Sequence, residues 1–404
     1  MNQTVRRRPM AAAILSLSLL TVMAGAAVAP ALGVIRDYFA AESPMLVQMI
    51  ISMPALFIFI TNLIFPALCR RFRTKTLVMA GLLLYTLGGI AAGLFSNIYL
   101  LLIMRALVGI GVGIIMPMST GLLTYYFAND GLDRMMGLSS AMNQMGGVVA
   151  TLLAGILAAI NWRAAFLVYL LGLISIVLIA LFLPDDRLDS GDGAQISGRS
   201  LAEYAPYIIG MFFVMMSFFI YPSNCAMETA KEGIIPQNAV AAVMAFADLV
   251  AFGGGLLFAK LNRTLRNSTR LVAPLAFLLG YFFLLVPGGW TGGISGAACI
   301  GFANGVGIPY LIASASKKAG RAAVTTAIPL LSAALYIAQF STPILLNLLE
   351  RIPGIAGSGH PSYLIGIGVS LVLIAWSAVM LKEPAAVTKS RHARSETAAH
   401  ATVN

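Results

Sequence analysis

The sequence predicts an all-helical membrane protein with twelve transmembrane helices, arranged as two pseudo-symmetric six-helix bundles. Three observations predict it. Of the 404 residues, 59% are hydrophobic and only 10% are charged, where soluble domains carry about 25% charged residues. Twelve apolar runs each reach the roughly 20 residues that a helix needs to cross the hydrocarbon layer. A Gly–Pro pattern in the fourth run returns in the tenth, 192 residues later.

The runs lie near 11–35, 45–68, 77–96, 98–120, 137–159 and 164–183 in the first half. In the second half they lie near 205–224, 238–259, 271–288, 293–315, 322–346 and 363–381. They are continuous and rich in Leu, Ile, Ala, Gly and Met, whereas strands of a membrane barrel alternate in polarity. The first run follows Arg6-Arg7-Arg8 and has Ala-x-Ala patterns near Ala27 and Ala29, as a signal peptide does. Its apolar character continues past Pro30 to Ile35 and eleven more runs follow, so it reads as the first span. The three cysteines are scattered (Cys69, Cys225, Cys299) and form neither a disulfide framework nor a metal motif. No cofactor or metal is expected.

Charge sets the expected orientation. With the N-terminus cytoplasmic and the spans alternating, the external loops hold Arg36, Arg163, Lys231 and Arg351. Arg105 lies within a span, and the remaining 21 of the 26 Lys and Arg residues are cytoplasmic. This is a strong positive-inside bias. The net charge of +11 therefore reads as topology. The basic loops suit anionic lipid headgroups, and no nucleic-acid partner is expected. The termini are placed in the cytoplasm and the protein in the cell (inner) membrane.

The longest polar interval, 184–203, is rich in Gly, Ser and Asp and separates six runs from six, which is a linker composition. The expected units are an N-terminal bundle over 1–183, the cytoplasmic linker 184–203, a C-terminal bundle over 204–382 and a disordered tail over 383–404. Gly193 to Ser200 mimics phosphate-loop spacing, but no strand precedes it. The halves echo each other. Gly109-x-x-x-Gly113 precedes Pro117, Gly301-x-x-x-Gly305 precedes Pro309, and both stretches contain Gly-Val-Gly-Ile. Internal repeats mark transporters that rock one half against the other, although GxxxG also marks close helix packing alone.

Two ionisable residues lie deep in the runs, Arg105 and Asp248. Each costs roughly 2.5–3.5 kcal/mol to insert at a helix centre. At 100° per residue, Arg105 shares a side with Val108, Gly109, Val112, Gly113 and Met116, opposite Leu100, Ile103, Leu107, Ile110 and Ile114. Asp248 shares a side with Ala241, Ala245, Ala251, Phe252 and Gly255, opposite Val243, Phe246 and Val250. Both charges are thus expected to face the bundle and a watery passage. Asp248 suits a proton carrier, because alternating access changes its surroundings. Arg105 suits tuning a neighbour or holding an anion. An internal ion pair that only fixes packing is the structural alternative. Asn143, Gln144, Asn224, Asn304, Tyr310, Tyr336 and Gln339 are candidates for the substrate cavity or for bonds between helices. The histidines (His360, His392, His400) fall in loop and tail, leaving no histidine relay.

This pattern resembles the major facilitator superfamily over essentially the whole chain. The six-plus-six layout carries the resemblance, together with Leu102-x-x-Arg105-x-x-x-Gly109-x-Gly111-x-Gly113 and Asn161-Trp162-Arg163-Ala164-Ala165-Phe166. It implies proton coupling at Arg105. The loop between spans 2 and 3, Pro66 to Lys75, keeps Leu68, Arg71 and Lys75 of the family's gating motif, with Arg70 at its acidic position. In span 5, Gly137, Gly146 and Gly155 match an antiporter-type spacing, while Ala150, Thr151 and Ala154 replace its Gly-Pro and another Gly. The expected function is secondary transport of a small organic solute, first as proton-coupled efflux of an amphipathic drug or metabolite. Uptake or exchange of an organic anion held by Arg105 is the second expectation, and a non-transporting receptor on the same fold the third. The absence of HExxH and GxSxG motifs speaks against an enzyme, and the resemblance implies a monomer.

Overall fold

The computed structural model describes residues 3–127, 130–185, 198–232, 237–286, 289–319, 327–355 and 358–380. The expected tail 383–404 and most of the linker 184–203 lie outside them. The described residues are helical almost throughout.

The first crossing is broken. Helix α1 (Gln3–Ala26) stops short of a 3-10 turn at Ala29–Ala31, and α2 (Leu32–Tyr38) resumes. Pro30 lies in that turn and has no N–H to continue the ladder. Then follow α3 (Pro44–Arg71), α4 (Thr74–Ala92), α5 (Ile98–Tyr126) and α6 (Asp130–Ile160). The sixth crossing begins as a 3-10 stretch, Trp162–Leu170, and ends as α7 (Leu171–Phe182). The second half comprises α8 (Gly198–Glu232), α9 (Gln237–Leu265), α10 (Thr269–Leu285), α11 (Gly289–Ala319), α12 (Ile328–Leu349) and α13 (Pro361–Met380). Ser43 caps α3 by accepting from the Leu46 N–H, and Asn97 caps α5 by accepting from Tyr99 and Leu100, as preferred N-cap residues do.

The apolar stretch Ala239–Leu285 is continuous over 47 residues. As one straight helix it would run about 70 Å, more than twice the hydrocarbon thickness. It folds back instead. A 3-10 turn at Arg266–Ser268 separates α9 from α10, and Arg266 takes a φ of 46° there. The chain thus makes the twelve expected crossings among the described residues. Leu63, Leu87, Ile156, Leu181, Leu348 and Val379 stand exposed on the outside, as a lipid-facing surface requires and a soluble monomer avoids.

The repeat is visible in the packing. Gly109 and Gly113 of α5 lie against Pro54 and Thr61 of α3, where a Cβ would fall on the Pro54 carbonyl. Gly301 and Gly305 of α11 lie in the same way on the carbonyls of Ala247 and Ala251 of α9. Glycine lets the backbones meet, as small residues do between membrane helices. Each half holds its second crossing against its fourth in this manner, and the halves meet along α6 with α9, α3 with α12, and α2 with α8.

Two of the residues set opposite the charges by the helical wheel are nonetheless buried. Ile114 is buried, because it packs against Gly81 of α4. Val243 is also buried. It lies one turn before Ala247 and so on the stripe that meets α11, because residues four apart share a helix face.

Candidate functional site

A cavity of about 570 Å³ lies between the halves at the middle of the helices. This falls within the range of small-molecule sites. Its polar wall holds Thr21, Ser140, Asn143, Gln144, Thr151, Tyr221, Asp248, Asn304, Tyr336 and Gln339, and its apolar wall includes Met215, Phe218, Phe219, Met244 and Phe252. Asp248 is the one acidic or basic side chain on this wall among the described residues. Five of the seven expected cavity residues are therefore together: Asn143, Gln144, Asn304, Tyr336 and Gln339.

The acid is held across the interface. Thr151 Oγ1 on α6 donates to Asp248 Oδ2 on α9 over 3.2 Å. On the same α6 face, a Cβ on Gly147 would stand 3.7 Å from that oxygen, and one on Gly155 would fall on Ala241 of α9. The two helices touch at Gly155 and leave room at Gly147. On the far wall, the Tyr336 hydroxyl donates to Met116 Sδ over 2.7 Å, which again joins the halves. The side-chain carbonyls of Asn143 and Asn304 have no protein partner, so two buried polar atoms on the wall are open to a ligand or water.

Arg105 departs from expectation. It faces the bundle, as its helix face requires, but it is not on the cavity wall. The side chain is fully buried. Its Nε donates to the Ile50 carbonyl at 2.6 Å and Nη2 to the Ala24 carbonyl at 2.5 Å, while Nη1 bonds the Tyr169 hydroxyl. Tyr169 itself donates to Ala24 O at 2.7 Å. Both carbonyls lack an intrahelical donor. Ile50 lies four residues before Pro54, which has no N–H to offer it. Ala24 lies where α1 ends, and the Val28 N–H that would reach it turns to Gly25. The guanidinium thus satisfies backbone acceptors left open by the proline inside α3 and by the end of α1.

Asn224 and Tyr310 also lie off the cavity. Asn224 is buried at the end of the bundle away from the α3–α4 turn. Its Oδ1 accepts from Gln48 Nε2 at 2.6 Å, joining α8 to α3. Ser362 Oγ lies 3.2 Å from the same oxygen and 2.8 Å from Glu350 Oε1. Tyr310 lines a separate cleft of about 10 Å³ beside Val214, Thr269 and Arg270, room for one water.

The reading of span 7 as ending at Asn224 needs a further correction, while His360 does lie in a loop, just before α13. Helix α8 runs on to Glu232, so Glu228 is buried within it. His360 Nδ1 lies 3.3 Å from Glu228 Oε2, and the ring stacks on Tyr363. Hydropathy fails at Glu228, which is why the sequence places it outside a span. Thr151, Tyr221, Ser140 and Thr21 were also missed, since a lone hydroxyl in an apolar run carries no signal. At the opposite end, Arg71 closes α3 and is exposed. Lys75 Nζ donates to the Ala180 carbonyl at 2.7 Å, and Arg73 pairs with Asp185 at 2.7 Å.

Known proteins fit this geometry. The Multidrug resistance protein B homolog of Mycobacterium tuberculosis (strain CDC 1551 / Oshkosh) is 36% identical over 133 residues, 32% of this chain and 25% of that protein. The Multidrug efflux pump SdrM of Staphylococcus aureus (strain N315) is 28% identical over 136 residues, 33% of this chain and 30% of that protein. The chain thus spans between a quarter and a third of the length of these relatives. Among solved structures, the nucleoside transporter NupG superimposes with a TM-score of 0.76 at 12% identity, covering 93% of this chain and 100% of that one. A bacterial homolog of the human lysosomal transporter Spinster, inward-facing and occupied, gives 0.70 at 15% identity, covering 94% and 96%. These likenesses concern the fold. The sequence profile described as Major Facilitator Superfamily matches residues 14–343, and with its paired six-helix halves around a central cavity the chain belongs to that family of multi-pass membrane transporters.

Proposed function

We propose that this transporter exports a small amphipathic organic solute in exchange for protons, by alternating access of the central cavity. The observation that carries the reading is the wall of that cavity, largely apolar, with Asp248 as its acidic group and Thr151 of the other half bonded to it. A lone carboxylate in low dielectric favours either a proton or a cationic ligand. Competition between the two links export to proton entry. The partial likeness to multidrug efflux proteins supports export over uptake. The anion reading loses its ligand, because the Arg105 donors are engaged with Ile50, Ala24 and Tyr169 away from the wall.

The rest of the proposal follows from charge and packing. The basic loops face the cytoplasm of a cell membrane under the positive-inside rule. The units are bundles over 1–183 and 204–382 joined by the linker 184–203, in a protein that works as a monomer. Arg71 and Lys75 belong to the gate at the basic end, where the Lys75 bond to Ala180 is one contact that opening and closing must respect.

The test is proton movement driven by solute in proteoliposomes, screened with ethidium as a cation, benzoate as an anion and a neutral dye. Ethidium is expected to drive proton flux in the wild type and to fail in Asp248→Asn. Benzoate-driven flux that survives Asp248→Asn would refute the proposal.

A further inference from the structure

We infer that Thr151 is a positioning residue for the coupling carboxylate, a hydrogen-bond donor lent to Asp248 by the opposite half of the protein. This rests on the reading of Asp248 as the proton carrier. It adds the group that ties its proton to the conformation.

Three observations carry it. The Thr151 hydroxyl is buried and points across the interface to Asp248 Oδ2. The hydroxyls of Thr229, Thr264 and Thr342 instead turn back to a carbonyl four residues earlier in their own helices, which is the usual choice in a helix. Gly147, Thr151 and Gly155 repeat at four-residue spacing and form the stripe of α6 that meets α9. On this stripe Thr151 is the polar member, at the level where the helices have parted enough to admit a hydroxyl.

The physical consequence is direct. A hydroxyl that donates to a carboxylate favours its charged form. Because α6 and α9 belong to different halves, separating the halves at this level removes the donor and keeps the acid. Proton affinity therefore changes with the state of the cavity without any second ionisable partner. The other titratable groups on this wall are the hydroxyls of Tyr221 on α8 and Tyr336 on α12. Tyr336 is engaged with Met116. No basic side chain among the described residues lines the wall to take over the role of Thr151.

The test reads Asp248 itself. Purified protein is treated with dicyclohexylcarbodiimide, which labels protonated buried carboxyls, across a pH series. Labelling of the Asp248 peptide is followed by mass, with Asp248→Asn as the blank. Thr151→Val is expected to move the labelling midpoint up by about one pH unit, the ten-fold effect of one hydrogen bond to a charged group. Thr151→Ser keeps the donor and is expected to restore the wild-type midpoint. If Thr151→Val does not yield folded protein, Thr151→Ala removes the same hydroxyl without adding bulk. A midpoint that stays put in the Val or Ala variant, or one that moves equally in the Ser variant, overturns the inference. Ethidium-driven proton flux separates the two readings. Flux lost in Asp248→Asn with an unmoved Thr151→Val midpoint sinks Thr151 alone, and flux retained in Asp248→Asn sinks both.

Discussion

Removing the Arg105 guanidinium is expected to cost stability before it costs chemistry. Arg105→Ala deletes the donors to Ile50 O, Ala24 O and Tyr169 in one step. A hydrogen bond from a charged group contributes about 1.5–3 kcal/mol, and the three share one side chain, so they do not add. Ala24 O keeps its bond from Tyr169, but Ile50 O has nothing left, because Pro54 lacks the N–H that would reach it. We expect a loss of about 3–5 kcal/mol, the usual cost of breaking a buried charged network. With unfolding entropy of about 2 cal/mol/K per residue, that lowers the melting temperature of a chain this size by about 4–6 °C.

The mechanism makes a sharper demand. Pro54→Ala supplies Ile50 O with an intrahelical donor. In an Arg105→Ala background it should therefore recover about 1 kcal/mol that it does not give to the wild type. The assay is thermal unfolding in dodecyl maltoside of the two single variants and the double variant, with the coupling taken from the cycle. Additive losses, or an Arg105→Ala protein that melts with the wild type and has lost only transport, would refute this account and return Arg105 to the coupling machinery.

Two other contacts between the halves give direct tests. Gln48→Ala removes the donor that reaches Asn224 from the other half and is expected to loosen that end of the bundle. Labelling of the adjacent buried Cys225 by an impermeant maleimide, in a Cys69→Ala/Cys299→Ala background, should rise about ten-fold, the effect of one buried hydrogen bond. An unchanged rate would mean that the contact holds nothing shut. Gly155→Ala drives a methyl group into Ala241 and should destabilise by about 1–3 kcal/mol, as overpacking does. Adding Ala241→Gly should restore the melting temperature, and failure of that rescue would place the α6–α9 contact elsewhere.

Much of the fold was legible because lipid asks for a crude property. Length and apolarity mark a crossing, so all twelve were visible, and a single positive φ at Arg266 decides how one long stretch divides. Gly109, Gly113, Gly301 and Gly305 were legible for a related reason, since small residues at fixed spacing leave few uses other than backbone contact. What escaped depends on partners in other helices. That Arg105 faces inward follows from its own helix. That it serves Ile50 and Ala24 follows from Pro54 and the break before Pro30, which no pattern around Arg105 records. Asn224 and Asn143 are the same residue type in similar surroundings, yet one closes an end and the other lines the cavity. Thr151 was visible only as a departure from a signature, and Glu228 only as the place where hydropathy stopped.

The contrast between contacts within and between the halves bears on how such a protein can turn over. Within each half, helices meet backbone to backbone, with Gly109 on Pro54 and Gly301 and Gly305 on Ala247 and Ala251, and no side-chain motion can release them. Between the halves, α6 and α9 also touch at Gly155, but Gln48 with Asn224, Thr151 with Asp248 and Tyr336 with Met116 are single side-chain hydrogen bonds. Each contributes about 0.5–3 kcal/mol. Two conformations in exchange differ by only a few kcal/mol, so losing or gaining one such bond shifts their populations. One of the three ends on a carboxylate, whose acceptor strength a proton changes at once. If Asp248 carries the proton as proposed, the bodies are stiff where they must move as units, and the joint is weak where a single proton acts. In the proposed exchange, a ligand that competes for the same carboxylate acts on that balance.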